Sequence, residues 1–186
     1  AWADRPLESH RIYTPSGVPL EVMIDLANTI GADPWFNIPH LADEDYMDNF
    51  ATTVAENLDE DLTVYVEHSN EVWNWGFEQA QYANTTGRAR WGDIGNAYMQ
   101  WHGMRTAMVC DAFKQGPFAD DTDQVKCVLG VQTAYHGLQT GALECALWVA
   151  EGNDPCYKHG FDYIGLTTYF SGGLNGPSSW SEDEVG

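Results

Sequence analysis

The sequence predicts an α/β fold, a parallel sheet covered by helices, and its patterning carries that prediction in two ways. Segments with apolar residues at helical spacing alternate with short apolar runs along the chain. The short runs are rich in β-branched, aromatic and other apolar residues and read as buried-type strands. A third observation concerns use: each run ends in polar or aromatic side chains.

The elements follow in order. Pro19 stands at a helix start, Leu20, Met23, Ala27 and Ile30 keep helical spacing, and Gly31 offers a C-terminal cap. Trp35 to His40 is a short strand stopped by Pro39. Asp43 can cap the next helix, whose apolar stripe is Met47, Phe50, Val54 and Leu58. Leu62 to Ser69 is a second strand, dense in β-formers. A long helical region follows, its later part carrying Ile94, Ala97, Trp101, Met108 and Ala112 on one side. Val125 to Val131 is a third strand, Gly141 to Glu151 a helix, and Tyr163 to Phe170 a fourth strand. The Gly/Ser-rich stretch from Ser171 to Ser181 reads as a loop.

Two sheet architectures suit this order. A doubly wound dinucleotide-binding sheet calls for G-x-G-x-x-G after an early strand, and no strand here has one. The strand ends instead carry His40, Asn70 with Glu71, Gln132 and Tyr169. In a (β/α)8 TIM barrel such ends converge on one mouth, where the chemistry sits. A complete barrel needs about 250 residues. The chain is therefore expected to be a partial barrel, strands three to six of eight, with residues 1–186 forming a single catalytic-type domain.

Composition narrows the partners. The 186 residues hold 28 Asp and Glu against 8 Lys and Arg, a formal charge of −20. That field repels phosphate, which argues against nucleic acid and anionic membrane surfaces, whereas a neutral sugar meets no such penalty. No apolar run approaches the roughly 20 residues of a membrane-spanning helix. There is no signal-peptide pattern. Cys110, Cys127, Cys145 and Cys156 lack metal-type C-x-x-C spacing. They are either two disulfides, Cys145–Cys156 and Cys110–Cys127, which suits an exported, extracellular protein, or four buried thiols. No cofactor is expected.

The most informative segment is Tyr65-Val66-Glu67-His68-Ser69-Asn70-Glu71, an Asn-Glu pair just past an apolar strand. Cleavage of a glycosidic bond through an oxocarbenium-like state needs one protonated carboxyl beside the leaving oxygen. Retention of configuration needs a second, ionised carboxylate about 5–5.5 Å away. Aromatic surroundings raise the pKa of the first, and Trp73 and Trp75 follow Glu71 closely. The segment resembles glycoside hydrolase clan A, and in its Glu67-x-x-Asn70-Glu71 spacing it is similar to family 5 cellulases and mannanases, although Val72 stands where that family usually has proline. The resemblance implies Glu71 as general acid/base and Asn70 as hydrogen-bond donor to the sugar 2-hydroxyl. It further implies Glu67 as an interior support and a nucleophile on a later strand, beyond Gly186. It also implies that Tyr169 hydrogen-bonds that nucleophile. A Glu that caps the following helix is the structural alternative for Glu71.

Further substrate contacts are expected from His40, Gln132 and His136 at the mouth, and from aromatic faces on loops, Trp2, Trp73, Trp75 and Trp180. Trp91, Trp101 and Trp148 fall in helical segments and read as core. Glu182 and Glu184 lie in a polar tail and make poor nucleophiles. Two other functions stay open. A metal-dependent hydrolase would draw ligands from His40, Glu71 and His136, and a carbohydrate-binding barrel would keep the aromatic cleft without the chemistry.

Overall fold

The computed structural model describes residues 1–14, 17–133 and 135–167. Four parallel strands form one sheet in the order β1-β2-β3-β4: β1 (Trp35–Ile38), β2 (Val64–His68), β3 (Val125–Gln132) and β4 (Phe161–Thr167). Between them run helices α1 (Leu20–Ile30, before β1), α2 (Glu44–Asn57), α3 (Glu78–Trp91), α4 (Ala97–Lys114), α5 (Leu138–Glu144) and the short α6 (Ala146–Val149). The expected mixed α/β fold with a parallel sheet is present.

Local chemistry sets the boundaries. Pro19 occupies the N-cap of α1, and Gly31 closes it at φ 62°, a left-handed conformation that costs glycine little. The Asp43 carboxylate accepts the Tyr46 amide at 2.9 Å to cap α2. The long helical region breaks in two at Gly92 (φ 92°), which ends α3. The expected helix from Gly141 to Glu151 instead begins at Leu138 and divides at Cys145 (φ 45°) into α5 and α6.

The two faces of the sheet differ. On one, Phe36 and Ile38 of β1, Val64 and Val66 of β2, and Val125 and Cys127 of β3 pack into a core with Ile24, Met47, Phe50, Val54 and Phe113 of the helices. A second cluster joins Leu129 and Val131 to Met99, Leu138 and Ala142. The α4–α5 contact is close enough that a Cβ at Gly103 would overlap the Ala142 carbonyl oxygen. Strand alternation turns Trp35, Asn37, Tyr65, Glu67 and Tyr163 to the other face. There Trp35 stacks on Tyr65 (ring centroids 5.6 Å apart), and Tyr65 on Tyr163 (6.2 Å).

Cys145 and Cys156 form a disulfide, while Cys110 and Cys127 are buried thiols, so neither of the two alternatives holds for all four cysteines. Among the described residues no helix is long and apolar enough to cross a membrane.

Candidate active site

Because the strands are parallel, His40, Asn70, Glu71 and Gln132 all follow strand ends at the same edge of the sheet. Beyond β2 the chain turns sharply: Ser69 has φ 62° and Glu71 φ 45°. Two non-glycine residues in the left-handed region, two positions apart, are costly, and such geometry persists only where the surroundings over-determine it. Here each carbonyl of the turn is held. Asn37 Nδ2 donates to Ser69 O at 2.7 Å, Gln79 Nε2 to Asn70 O at 2.6 Å, and the Asn74 amide to Glu71 O at 2.8 Å. The Ser69 amide in turn donates to Ile38 O at 2.7 Å. Asn74 Nδ2 donates to Glu71 Oε2 at 3.0 Å, which fixes the carboxylate as well as the backbone. Glu71 does not cap the next helix, since α3 begins seven residues later with Phe77 at its N-cap.

Glu67 lies on the exposed-face side of β2, two positions before the turn. Its Oε2 accepts from Trp35 Nε1 and Asn37 Nδ2, each at 3.1 Å. Burial raises its pKa, and these two hydrogen bonds work in the opposite direction. Gly130 of β3 makes room for it, since a Cβ there would overlap Glu67 Oε1. Asn37 therefore ties Glu67 to the Ser69–Glu71 turn.

Beneath the turn, on the core side, His68 and His102 are fully buried with their Nδ1 atoms 3.1 Å apart. His102 Nε2 lies 3.1 Å from Gly130 O, a contact that only an N–H can make. With neutral rings, His102 Nδ1 then accepts from His68 Nδ1–H. His68 Nε2 remains a buried acceptor with no partner among the described residues. Burial depresses both pKa values, that of His102 to about 4, and the neighbouring His102, Arg105 and His40 depress His68 further.

The aromatic side chains divide. Trp75 is 49% exposed, its ring 4.9 Å from that of Tyr98. Trp73 is corrected to a core residue: it is 7% exposed and packs with Met99, Leu129 and Val131. The Trp2 ring sits against Tyr46 and Phe50 of α2. Trp91 and Trp101 pack edge-on at 6.1 Å, as their helical positions implied. His40 packs against Tyr82 of α3 at 5.2 Å and is half-buried, with its pKa lowered by that burial against the opposing effect of Glu78. Gln132 ends β3, half-buried, and His136 is exposed in the turn after it. Tyr169, Trp180, Glu182, Glu184 and the Ser171–Ser181 loop lie outside the described residues. Among the described residues no three His, Cys, Asp or Glu side chains come together as a metal site.

Comparison with protein-family models, curated proteins and solved structures finds no match for this chain. The site therefore rests on its own geometry. Three of its members escaped the motif: Asn37, Asn74 and Tyr98. Asn37 was visible in principle, as the polar residue two positions from Trp35 on the same side of β1.

Proposed function

We propose that this chain is part of a (β/α)8 barrel and acts as a retaining glycoside hydrolase on an oligosaccharide or polysaccharide, with Glu71 as general acid/base. The observation that carries the proposal is the turn at Asn70–Glu71. It is a strained segment at a parallel strand end, pinned at three successive carbonyls and at the carboxylate itself. A general acid must meet the leaving oxygen at hydrogen-bond distance, and a carboxyl fixed in this way is pre-positioned for that. Sequential strand order supports the barrel, because a doubly wound sheet reverses its order at a switch point. Asn70, exposed beside Glu71, suits a donor to the sugar 2-hydroxyl, and the exposed Trp75 supplies an apolar face for sugar C–H groups. The nucleophilic carboxylate is assigned to a later strand, outside this sequence. The Cys145–Cys156 disulfide supports an exported protein.

The test is Glu71→Gln in the full-length protein, assayed on two substrate types. An amide keeps the shape but delivers no proton, so hydrolysis of unactivated glycosides should fall by about 10²–10⁴-fold. Aryl glycosides with very acidic leaving groups should lose far less at the glycosylation step. Equal losses on both would make Glu71 structural. No loss on either, with oligosaccharide binding retained, would point to a carbohydrate-binding barrel.

A further inference from the structure

A cavity of about 390 Å³ opens beside the candidate site, between the turn that precedes α4 and the turn that joins β3 to α5. Asn96, Tyr98 and Met99 wall it on one side, and Tyr135, His136 and Leu138 on the other. Its wall residue Tyr98 is linked to Glu71 through two contacts and one step along the chain. Asn74 holds the carboxylate, Trp75 follows it in sequence, and the Trp75 ring lies 4.9 Å from that of Tyr98.

Three properties of the lining select a ligand. First, the walls offer aromatic faces, and Tyr135 is 61% exposed, a large apolar surface left to water at the cavity edge. Second, polar groups converge there unpaired. Asn96 spends its Oδ1 on Gln100 at 3.0 Å. Its Nδ2, the Tyr98 and Tyr135 hydroxyls and both His136 ring nitrogens have no hydrogen-bond partner among the described residues. Third, among the described residues no Lys, Arg, Asp or Glu lines the cavity, and the chain's charge of −20 disfavours anions. An apolar ligand would strand the polar groups, and a charged one would find no counter-ion. A neutral ring with C–H faces and a hydroxylated edge satisfies both surfaces. The volume holds roughly a dozen waters, which matches one hexopyranose unit in non-hydrogen atoms.

We propose that this cavity is a binding subsite for one neutral pyranose unit of a glycan that continues past Glu71, with Tyr98 and Tyr135 as its aromatic walls and Asn96 and His136 as hydrogen-bonding partners. The assignment rests on the carbohydrate reading of the mouth, and its test reads binding and not turnover. Calorimetric titration of the full-length protein uses four soluble tetrasaccharides: β-1,4-glucan, β-1,4-mannan, β-1,4-xylan and β-1,3-glucan. At least one should bind, and Tyr135→Ala, a change at an exposed side chain, should weaken it about tenfold or more. Asn96→Ala should weaken the same sugar, with circular dichroism confirming that both variants fold. Binding that neither substitution alters, or no binding of any of the four at about 10 mM, overturns the subsite. The two proposals fail separately. If turnover depends on Glu71 while binding ignores Tyr135 and Asn96, the hydrolase stands without this cavity. If a tetrasaccharide binds through Tyr135 while Glu71→Gln leaves turnover unchanged, the cavity stands without the hydrolase.

Discussion

Ser69 and Glu71 hold left-handed backbone conformations that their side chains do not favour, and the neighbouring Asn and Gln amides are what keep them there. Asn37 has the widest reach, since its single amide nitrogen serves both Ser69 O and Glu67 Oε2. Asn37→Ala removes a donor from a strained carbonyl and leaves Glu67 with Trp35 alone. The site is partly exposed, so the stability cost is about 1 kcal/mol by urea denaturation. Turnover should suffer more, because a displacement of about 1 Å at a catalytic group can cost about 100-fold. The expected pattern is a fall of tenfold or more in kcat with KM little changed. An unchanged kcat would show that the tether does not position Glu71. The loss of one donor should also raise the Glu67 pKa further, since that hydrogen bond works against the effect of burial. Asn70 and Glu71 were legible in sequence because a polar pair after an apolar run is a local signal. Asn37 shows in the sequence as a polar residue on one side of β1, but its reach to Ser69 runs through the register of β1 on β2, and Asn74 acts through the turn's shape; one-dimensional spacing displays neither contact. Trp73 and Trp75 looked alike for the same reason: past a turn with φ 45° at Glu71, strand alternation no longer tells which indole faces outward.

At the scale of elements, the His68–His102 contact joins β2 to α4 directly beneath the turn. Its sign with pH follows from burial. His102 titrates near 4 in the folded chain and near 6.5 when unfolded, so as pH falls the unfolded chain takes up the proton first. Stability is therefore complete above about pH 6.5 and is lost progressively down to about pH 4, by on the order of 3 kcal/mol for His102. Arg105 and His40 add further positive charge against protonation of His68. Calorimetric melting across this window should show the loss, and His102→Gln should reduce it, leaving the part that belongs to the buried His68. Parallel pH profiles for the two proteins would exclude His102 as a source. Element identity was largely readable from apolar spacing and caps, with Asp43, Pro19 and Gly31 where capping chemistry puts them. The breaks at Gly92 and Cys145 were not, because a helical stripe continues across them. The second coincides with a disulfided cysteine whose partner sequence spacing alone leaves open.

Across the whole molecule, the two faces of the sheet divide the labour. One buries aliphatic side chains under helices, and the other presents Trp35, Tyr65, Glu67 and Tyr163. The apolar runs announced a parallel sheet because they alternate with helical segments along the chain. They did not announce which polar residue lies on which face, since that depends on twist and pairing. The strongly acidic composition bears on ligand choice and not on fold, since its field disfavours anions and leaves neutral molecules unaffected.

The most direct measurement for the central proposal is azide rescue of Glu71→Ala in the full-length protein, with an activated aryl glycoside and the product's anomeric configuration read by NMR. Truncation removes the base that activates water in the second step and leaves space beside the glycosyl-enzyme, where azide attacks without general-base help. The prediction is slow turnover accelerated by azide, giving a glycosyl azide of retained configuration. A glycosyl azide of inverted configuration would make Glu71 the nucleophile, and undiminished turnover without azide would remove it from the chemistry.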